Sequence, residues 1–406
     1  MKMDKKALGI LSAGHFVTDI NQGALPALLP FLKEVLSLSY TMSGTILLAA
    51  NITSSIIQPA FGHLSDRQPV RWLLPLSPFV ACLGLSLTGL LSTYPLIVLS
   101  VIVSGFGIAS FHPEGFKTAH FFTGERKATG MSIFSVGGNL GIAIGPIVIL
   151  ALVSRFGLPG TLGMLLPGIL ITALLLFHMS MLGAPVVTAH EKARGGTKKP
   201  PSRYQKVSLL LLIGVATVRA WAQFGMATYI PFYYIDYLNG NPLYAGKLVS
   251  TFLLAGAVGT LLGAPIADRW GHKKFLLVTL AGSFPFLVLF YYSGGIVSFI
   301  LLGIAGMVLI SSFALTTLMA QIILPQHLGI VSGMMVGFTI SAGGLGVTLL
   351  GGIADIWGVP MAMKAVLLLP LIAFALAVPI KYPPEQVGMV PDSAAYEDQT
   401  MEKRDP

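Results

Sequence analysis

The sequence contains very little charge for its length. Only 10% of its 406 residues are Asp, Glu, Lys or Arg, whereas about 25% is typical of soluble domains. Hydrophobic residues make up 54%, and the mean hydropathy is +0.80. Such a chain lacks the polar residues to cover soluble domains. This composition excludes soluble enzymes, nucleic-acid-binding proteins and disordered scaffolds, and it indicates a protein that crosses a membrane many times.

Cysteine is almost absent as well. Cys82 is the only one, which excludes a disulfide framework and a cysteine-based metal site. The net charge is +9, but the basic residues are dispersed along the chain rather than massed in one patch. We therefore predict no nucleic-acid partner, and no spacing of residues predicts a metal or a cofactor.

What the sequence does have is long apolar runs. A membrane-spanning helix needs about 20 mostly apolar residues, and twelve stretches meet that length. They predict an all-α membrane protein with twelve transmembrane helices. The predicted spans are 8–32, 43–63, 71–92, 95–117, 128–152, 159–183, 206–236, 244–267, 274–292, 296–321, 328–355 and 360–380.

The distribution of Lys and Arg between the loops gives the orientation, because basic residues accumulate on the cytoplasmic side. With the N-terminus inside, twenty basic residues are cytoplasmic and four are external. Both termini are therefore predicted to be cytoplasmic. A Gly-, Pro- and Lys-rich stretch divides the chain, so we predict a first bundle (1–183), a flexible linker (184–205), a second bundle (206–380) and a cytoplasmic tail (381–406).

The two halves repeat each other at an offset of about 202 residues. Asp66-Arg67 follows the second span, and Asp268-Arg269 follows the eighth. GGNLG in the fifth span matches AGGLG in the eleventh, and FGLP after the fifth matches WGVP after the eleventh. A parallel duplication of six spans is a transporter architecture, in which the substrate site lies between the halves near the middle of the bilayer.

Twelve spans, a basic central linker and a doubled Asp-Arg loop resemble the major facilitator superfamily. HFVTDINQ (15–22), QPAFGHLSDR (58–67), FHPEGFK (111–117) and SIFSVGGNLGIAIGP (132–146) look like its fosmidomycin-resistance branch. The resemblance implies two pseudo-symmetric six-helix bundles of the major facilitator fold. It also implies a transporter that exports drugs in exchange for protons.

Polar residues inside the first and fourth spans are candidates for proton coupling, because a charged group at mid-membrane needs a partner or a function. His15, Asp19 and Gln22 are spaced by four and three residues and share one helical face. Asp19 and His15 are predicted to carry a proton, or alternatively to form an inert pair that ties helices together. His112 and Glu114 are further candidates, although Glu114 also has the spacing to pair with Lys117.

The seventh span contains Arg219, the only cation placed deep in a span, with Gln223 one turn away. Arginine cannot discharge itself by losing a proton, so Arg219 must meet an anion. That anion is either an anionic substrate or a carboxylate of the protein, Asp19 or Glu114. The candidate substrate contacts are Arg219, Gln223, Gln22, Tyr229, Tyr233 and Asn139, of which Asn139 is predicted mainly to serve helix packing among glycines.

The repeated Asp-Arg loops are predicted to act as gates. In each loop the aspartate is expected to cap the N-terminus of a facing helix, while the arginine pairs across the bundle. Such contacts hold the cytoplasmic side closed and break when the halves move. The predicted gate residues are Asp66, Arg67, Arg71, Asp268, Arg269 and Lys273.

These features predict a secondary active transporter of the bacterial inner membrane. We expect a proton-coupled antiporter that exports a small drug-like or anionic molecule by alternating access. An organic-anion uniporter or proton symporter is the alternative. A membrane enzyme or receptor is disfavoured because the sequence shows no nucleophile–base set and no folded domain outside the membrane. The expected partners are a small-molecule substrate, protons and lipids, and the protein is expected to be monomeric.

Overall fold

The computed structural model of the chain describes residues 2–38, 40–67, 72–194, 200–240 and 242–383. These residues form α-helices joined by short turns, and no β-strand occurs among them. The helices are α1 (Lys5–Val35), α2 (Tyr40–Ile56), α3 (Gln58–Arg67), α4 (Leu73–Leu87), α5 (Tyr94–Phe122), α6 (Lys127–Phe156), α7 (Leu165–Phe177), α8 (Met179–Arg194), α9 (Arg203–Phe232), α10 (Pro242–Trp270), α11 (His272–Tyr291), α12 (Gly295–Ile310), α13 (Phe313–Ile323), α14 (Leu328–Trp357) and α15 (Val359–Ala377).

The predicted all-α membrane fold is confirmed. Within the described part of the chain, ten helical segments are long and apolar enough to cross a membrane. The polar first helix, α1, and the short apolar helix α4 pack into the same bundle. The count of twelve spans and the cytoplasmic position of the termini fit this fold and stay predictions.

Local sequence signals set the ends of several helices. The Asp4 side chain accepts hydrogen bonds from the backbone N–H groups of Lys6 and Ala7 and so caps the start of α1. Gly157 and Gly358 end α6 and α14 with φ angles of +66° and +82°, a region that favours glycine. The two glycines occupy equivalent positions in the sequence repeat, so the halves end corresponding helices in the same way.

The linker prediction needs a correction. Residues 184–194 were expected to be flexible, but they belong to α8, which runs from Met179 to Arg194. The next helix, α9, begins at Arg203 because Ser202 and Gln205 form a reciprocal capping box. Residues 195–199 and 384–406 lie outside the described residues, and so do their predicted roles in the linker and the tail.

Glycines bring α1 and α6 close together. A Cβ atom at Gly137, Gly141 or Gly145 would collide with a backbone carbonyl of α1, so only glycine permits this approach. The two halves meet where α3 and α5 pack against α14, and where α6 packs against α10 and α13. These contacts place α1, α5 and α6 of the first half opposite α9, α13 and α14 of the second.

Candidate functional site

A cavity of about 90 Å³ lies between the two halves. A water molecule needs about 10–15 Å³ on this scale, so the cavity can hold several waters or a small polar molecule. Eight polar side chains from the two halves line it, together with apolar residues. The polar lining residues are His15, Asp19, His112, Ser135, Asn139, Arg219, Gln223 and Thr339, and the aromatic ones are Phe116, Phe224 and Phe313.

Arg219, on α9, is fully buried. One guanidinium nitrogen, Nη1, donates to Gln223 Oε1 at 3.2 Å, and Nε has no hydrogen-bond partner among the residues that the structure describes. The guanidinium carbon lies 5.1 Å from the centroid of the Phe313 ring, a cation–π distance. No carboxylate forms an ion pair with Arg219 among the described residues. The salt bridges to Asp19 or Glu114 that the sequence left open are therefore not formed in this structure.

On the opposite wall, His15, Asp19 and His112 form one buried cluster. His15 Nε2 lies 3.2 Å from Asp19 Oδ2, one turn along α1, and His112 Nε2 reaches Asp19 Oδ1 from α5 at 3.1 Å. The contact from His112 lacks the alignment of a full hydrogen bond, and Oδ1 has no other partner. The carboxylate therefore lies between two imidazoles, each of which can hold or release a proton.

Glu114 does not belong to this cluster, although the sequence grouped it with His112. It lies on the other face of α5, where Ser65 Oγ donates to Glu114 Oε2. Lys117 Nζ lies 3.9 Å from the same carboxylate and donates to the Ser65 carbonyl at 2.6 Å. Two residues of an α-helix are about 200° apart around the axis, which explains why His112 faces the cavity and Glu114 faces α3.

Three predicted substrate contacts lie away from the cavity. Gln22 lines a separate small cleft within the first half. Tyr229 donates its hydroxyl to the Val347 carbonyl at 3.0 Å. Tyr233 packs against Tyr237 and Tyr291, at ring-centroid distances of 5.5 and 5.3 Å. Tyr233 begins a π-helical turn that follows α9, two residues after Pro231.

Both repeated aspartates bind a helix N-terminus in the other half. The Asp66 carboxylate accepts the N–H groups of Gly329 and Ile330 at the start of α14, both at 2.9 Å. Asp268 accepts the N–H groups of Ala128 and Thr129 at the start of α6, at 2.8 and 2.9 Å. Each carboxylate thus satisfies unpaired helix donors and opposes the positive end of the helix dipole.

The basic residues of the same loops behave differently from the prediction. Arg67 and Arg269 are exposed, and neither forms an ion pair within the described ranges. Lys273 donates to the carbonyls of Val378 and Ile380, so it fixes the end of α15 rather than joining the halves. Arg71 lies outside the described residues.

A third contact between the halves was not foreseen. The Gln321 side chain, on α13, bridges to α5: its Nε2 donates to the Phe116 carbonyl at 3.2 Å, and its Oε1 accepts from His120 Nδ1 at 2.8 Å. The same amide donates to Ser332 Oγ on α14. Gln321 is fully buried. A polar residue at the end of an apolar run was the only sequence signal for it.

Sequence reasoning also missed the aromatic walls and the residues that orient the imidazoles. Phe313 faces Arg219, but a phenylalanine in an apolar span carries no distinguishing signal. The Gln58 side-chain Nε2 donates to the Ser54 carbonyl at 2.6 Å. The same nitrogen also lies 3.3 Å from His112 Nδ1, which depends on how α3 crosses α5.

Comparison with known proteins agrees with this architecture. A family model described as Major Facilitator Superfamily matches residues 11–344. The fosmidomycin resistance protein of Escherichia coli (strain K12) is 30% identical over 372 residues, 90% of each chain. An uncharacterized MFS-type transporter, YfnC, of Bacillus subtilis (strain 168) is 29% identical, covering 89% of this chain and 90% of its own. The crystal structure of the E. coli fucose:proton symporter superposes with a TM-score of 0.69 at 15% identity, covering 91% of this chain and 97% of that one.

Proposed function

The chain belongs to the major facilitator superfamily of membrane transporters, and we propose that it couples the movement of a small organic anion to protons. The observation that carries the proposal is Arg219, a fully buried cation that has no carboxylate partner among the described residues. It lines the same cavity as the His15–Asp19–His112 cluster. An anion site and a proton site therefore share one space between the halves.

The charge of Arg219 and its unused N–H donors favour an anion as the substrate. Burying an unpaired charge is costly. Within the described ranges, one neutral hydrogen bond and one aromatic ring are the contacts of Arg219 that offset this cost. A guanidinium presents two parallel donors that match the oxygens of a carboxylate or a phosphonate. Gln223 and Asn139 add neutral hydrogen-bonding groups to the same cavity.

We propose export in exchange for protons as the transport mode. The motifs quoted from the first half and the 30% identity to the E. coli fosmidomycin resistance protein support this choice. In this cycle the contacts of Asp66, Asp268 and Gln321 hold one side closed, and they break when the halves move. Fosmidomycin, a phosphonate, is the first compound to test.

The charge balance of the cavity supports a second candidate, symport of an anion with a proton. When the His15–Asp19 pair holds a proton, the pair is neutral overall and Arg219 leaves one positive charge for an anion to balance. When the proton leaves, Asp19 itself balances Arg219. Anion and proton would then bind best together, as uptake of both in one step requires.

Equilibrium binding of fosmidomycin to the purified protein tests the anion site. Replacing Arg219 by Lys loses the bidentate fork, and a lost hydrogen bond to a charged group costs about 1.5–3 kcal/mol, or roughly tenfold to a hundredfold in affinity. The matched control is Arg155→Lys, since Arg155 is exposed at the end of α6. Unchanged affinity in the Arg219 variant would remove Arg219 from the binding site.

The same binding reaction can be followed by calorimetry in buffers of different ionisation enthalpy. The dependence of the heat on the buffer gives the number of protons that are taken up or released on binding. Release of a proton on fosmidomycin binding supports antiport, and uptake supports symport. Binding without any proton movement would contradict proton coupling in either mode.

A further inference from the structure

The two histidines that flank Asp19 have different hydrogen-bonding environments. Both are buried, and both direct Nε2 at the carboxylate. Their Nδ1 atoms face opposite kinds of partner: a backbone carbonyl for His15 and a side-chain amide for His112. The partners of Nδ1 determine which ring nitrogen carries the hydrogen.

Gln58 fixes the tautomer of His112. Its side-chain nitrogen, rather than its oxygen, must face Ser54, because the partner 2.6 Å away is a carbonyl oxygen that can only accept. The second hydrogen of that NH₂ group is then available to His112 Nδ1 at 3.3 Å. Nδ1 accepts it with its lone pair, so the ring hydrogen of His112 is on Nε2, the nitrogen that lies 3.1 Å from Asp19 Oδ1. If Nδ1 of His112 also carried a hydrogen, that N–H group and the NH₂ group of Gln58 would be two donors pointing at each other.

His15 has the reverse arrangement. Its Nδ1 lies 2.9 Å from the Phe134 carbonyl oxygen, which can only accept, so Nδ1 carries the hydrogen. In a neutral His15, Nε2 would then turn a lone pair toward Asp19 Oδ2 at 3.2 Å. Two acceptors at that distance repel, and a proton between them removes the repulsion.

From this arrangement we infer that the exchangeable proton of the site lies between His15 Nε2 and Asp19 Oδ2. His112 is a positioning residue, held neutral by Gln58, that orients the carboxylate through Nε2–H. The inference rests on the proposed proton coupling and assigns different roles to the two histidines that contact Asp19. When the proton leaves, repulsion drives the Asp19 carboxylate away from His15, and the cavity that contains Arg219 is the open space beside it.

The surroundings add few other charges. Glu114 and Lys117 face α3 through Ser65, away from the pair. Helices α2 and α7, which also pack on α1, contain no Asp, Glu, Lys, Arg or His. The other titratable or charged groups on the elements packed against the pair are Tyr94, His112 and His120 on α5, Cys82 on α4 against Asn21, Lys127 and Arg155 at the two ends of α6, and Arg219 across the cavity.

The same three side chains bring ligand atoms within 4.8 Å of one another, a spacing that could also suit a metal ion. A metal would need the lone pair of His112 Nε2, but the Gln58 amide directs the hydrogen to that atom. Moving the hydrogen to Nδ1 would set it against the Gln58 NH₂ group. The hydrogen-bond pattern therefore favours a proton over a metal ion.

Nitrogen-15 NMR of the ligand-free protein, labelled at histidine, tests the assignment directly and needs no substrate. The wild-type signal that disappears in His112→Gln should show a hydrogen on Nε2 and none on Nδ1, and the signal that disappears in His15→Gln should show a hydrogen on Nδ1. A hydrogen on Nδ1 of His112 would overturn the assignment. Replacing Gln58 by Met removes the donor that faces His112 Nδ1, and a hydrogen should then also be found on that nitrogen.

Transport provides the second readout, with the same substitution at both histidines. His15→Gln should lose the pH dependence of fosmidomycin transport. His112→Gln should be slower than wild type but should keep the midpoint of the pH profile, because glutamine retains an N–H donor for Asp19. His112→Leu, which has no donor, should be slower still. A lost pH profile in His112→Gln with a preserved one in His15→Gln would overturn the inference. Absence of fosmidomycin transport by wild type would refute the proposed substrate and leave the NMR result standing.

Discussion

Replacing Asp66 by Asn tests whether the aspartate contacts hold the two halves together. The carboxylate accepts two backbone N–H bonds from α14, both at 2.9 Å. An asparagine can accept only one of them, since its NH₂ group would face the other N–H. A net loss of about 1.5–3 kcal/mol is expected for a hydrogen bond to a charged group. At 1.4 kcal/mol per factor of ten, the closed arrangement should become about tenfold to 150-fold less favoured.

A cysteine at Ser332 reports the separation of the halves. Ser332 is fully buried and bonded to Gln321 at the interface, so a thiol there should react with a maleimide only when the halves part. Asp66→Asn should raise the labelling rate by up to the same factor, and Asp268→Asn should act in the same direction. The native Cys82 is buried within the first half and should stay unlabelled throughout.

Asp4→Asn is the matched control for this experiment. Asp4 also caps a helix with two N–H bonds, but the helix is α1 of its own half. Its replacement should leave the labelling of the Ser332 cysteine unchanged. Equal labelling rates in wild type, Asp66→Asn and the Asp66/Asp268 double variant would refute the reasoning, because the contacts would then contribute nothing to closure.

Three further predictions follow from the packing. Gly138→Ala should abolish proton-coupled transport, because a Cβ atom there would collide with His15 Nε2 and lie 2.6 Å from Asp19 Oδ2. The control is Gly344→Ala, which should transport normally because a Cβ atom at that position meets nothing within 4 Å. Lys117→Met should lower the thermal midpoint of the purified protein, because removing one member of a buried ion pair costs about 3–5 kcal/mol, and adding Glu114→Gln should restore much of it. Gln321→Leu should speed labelling of the Ser332 cysteine, since three hydrogen bonds around it are lost; an unchanged rate would show that Gln321 does not hold the halves.

The sequence was sufficient to predict the helical fold and part of the site. Periodicity along α1 placed His15 and Asp19 on one face, and the isolated cation Arg219 marked the opposite wall. The sequence could not show that His112 contacts Asp19, because that contact depends on how α5 crosses α1. The same limit applies to Gln58 and Gln321, whose partners come from other helices.

Two of the differences between the expected and the observed positions had a signal in the sequence. His112 and Glu114 are two residues apart and therefore lie on opposite faces of a helix, yet they were grouped as one cluster. Tyr233 begins a π-helical turn two residues after Pro231, and a proline late in a helix is a sequence signal for such a departure from regular α-helical geometry. The exposed positions of Arg67 and Arg269 had no such signal, since a positive charge in a cytoplasmic loop fits both a gate and an orientation determinant.

The central claim is that one cavity binds an organic anion at Arg219 and a proton at the His15–Asp19 pair. Its most direct test is a fosmidomycin gradient across proteoliposomes that contain the purified protein and an enclosed pH-sensitive dye. With no other gradient present, fosmidomycin flux in wild type should change the internal pH. In Asp19→Asn, whose amide cannot carry the proton, the same gradient should leave the pH unchanged. Fosmidomycin flux without any pH change in wild type, or an unaltered pH response in Asp19→Asn, would contradict the account.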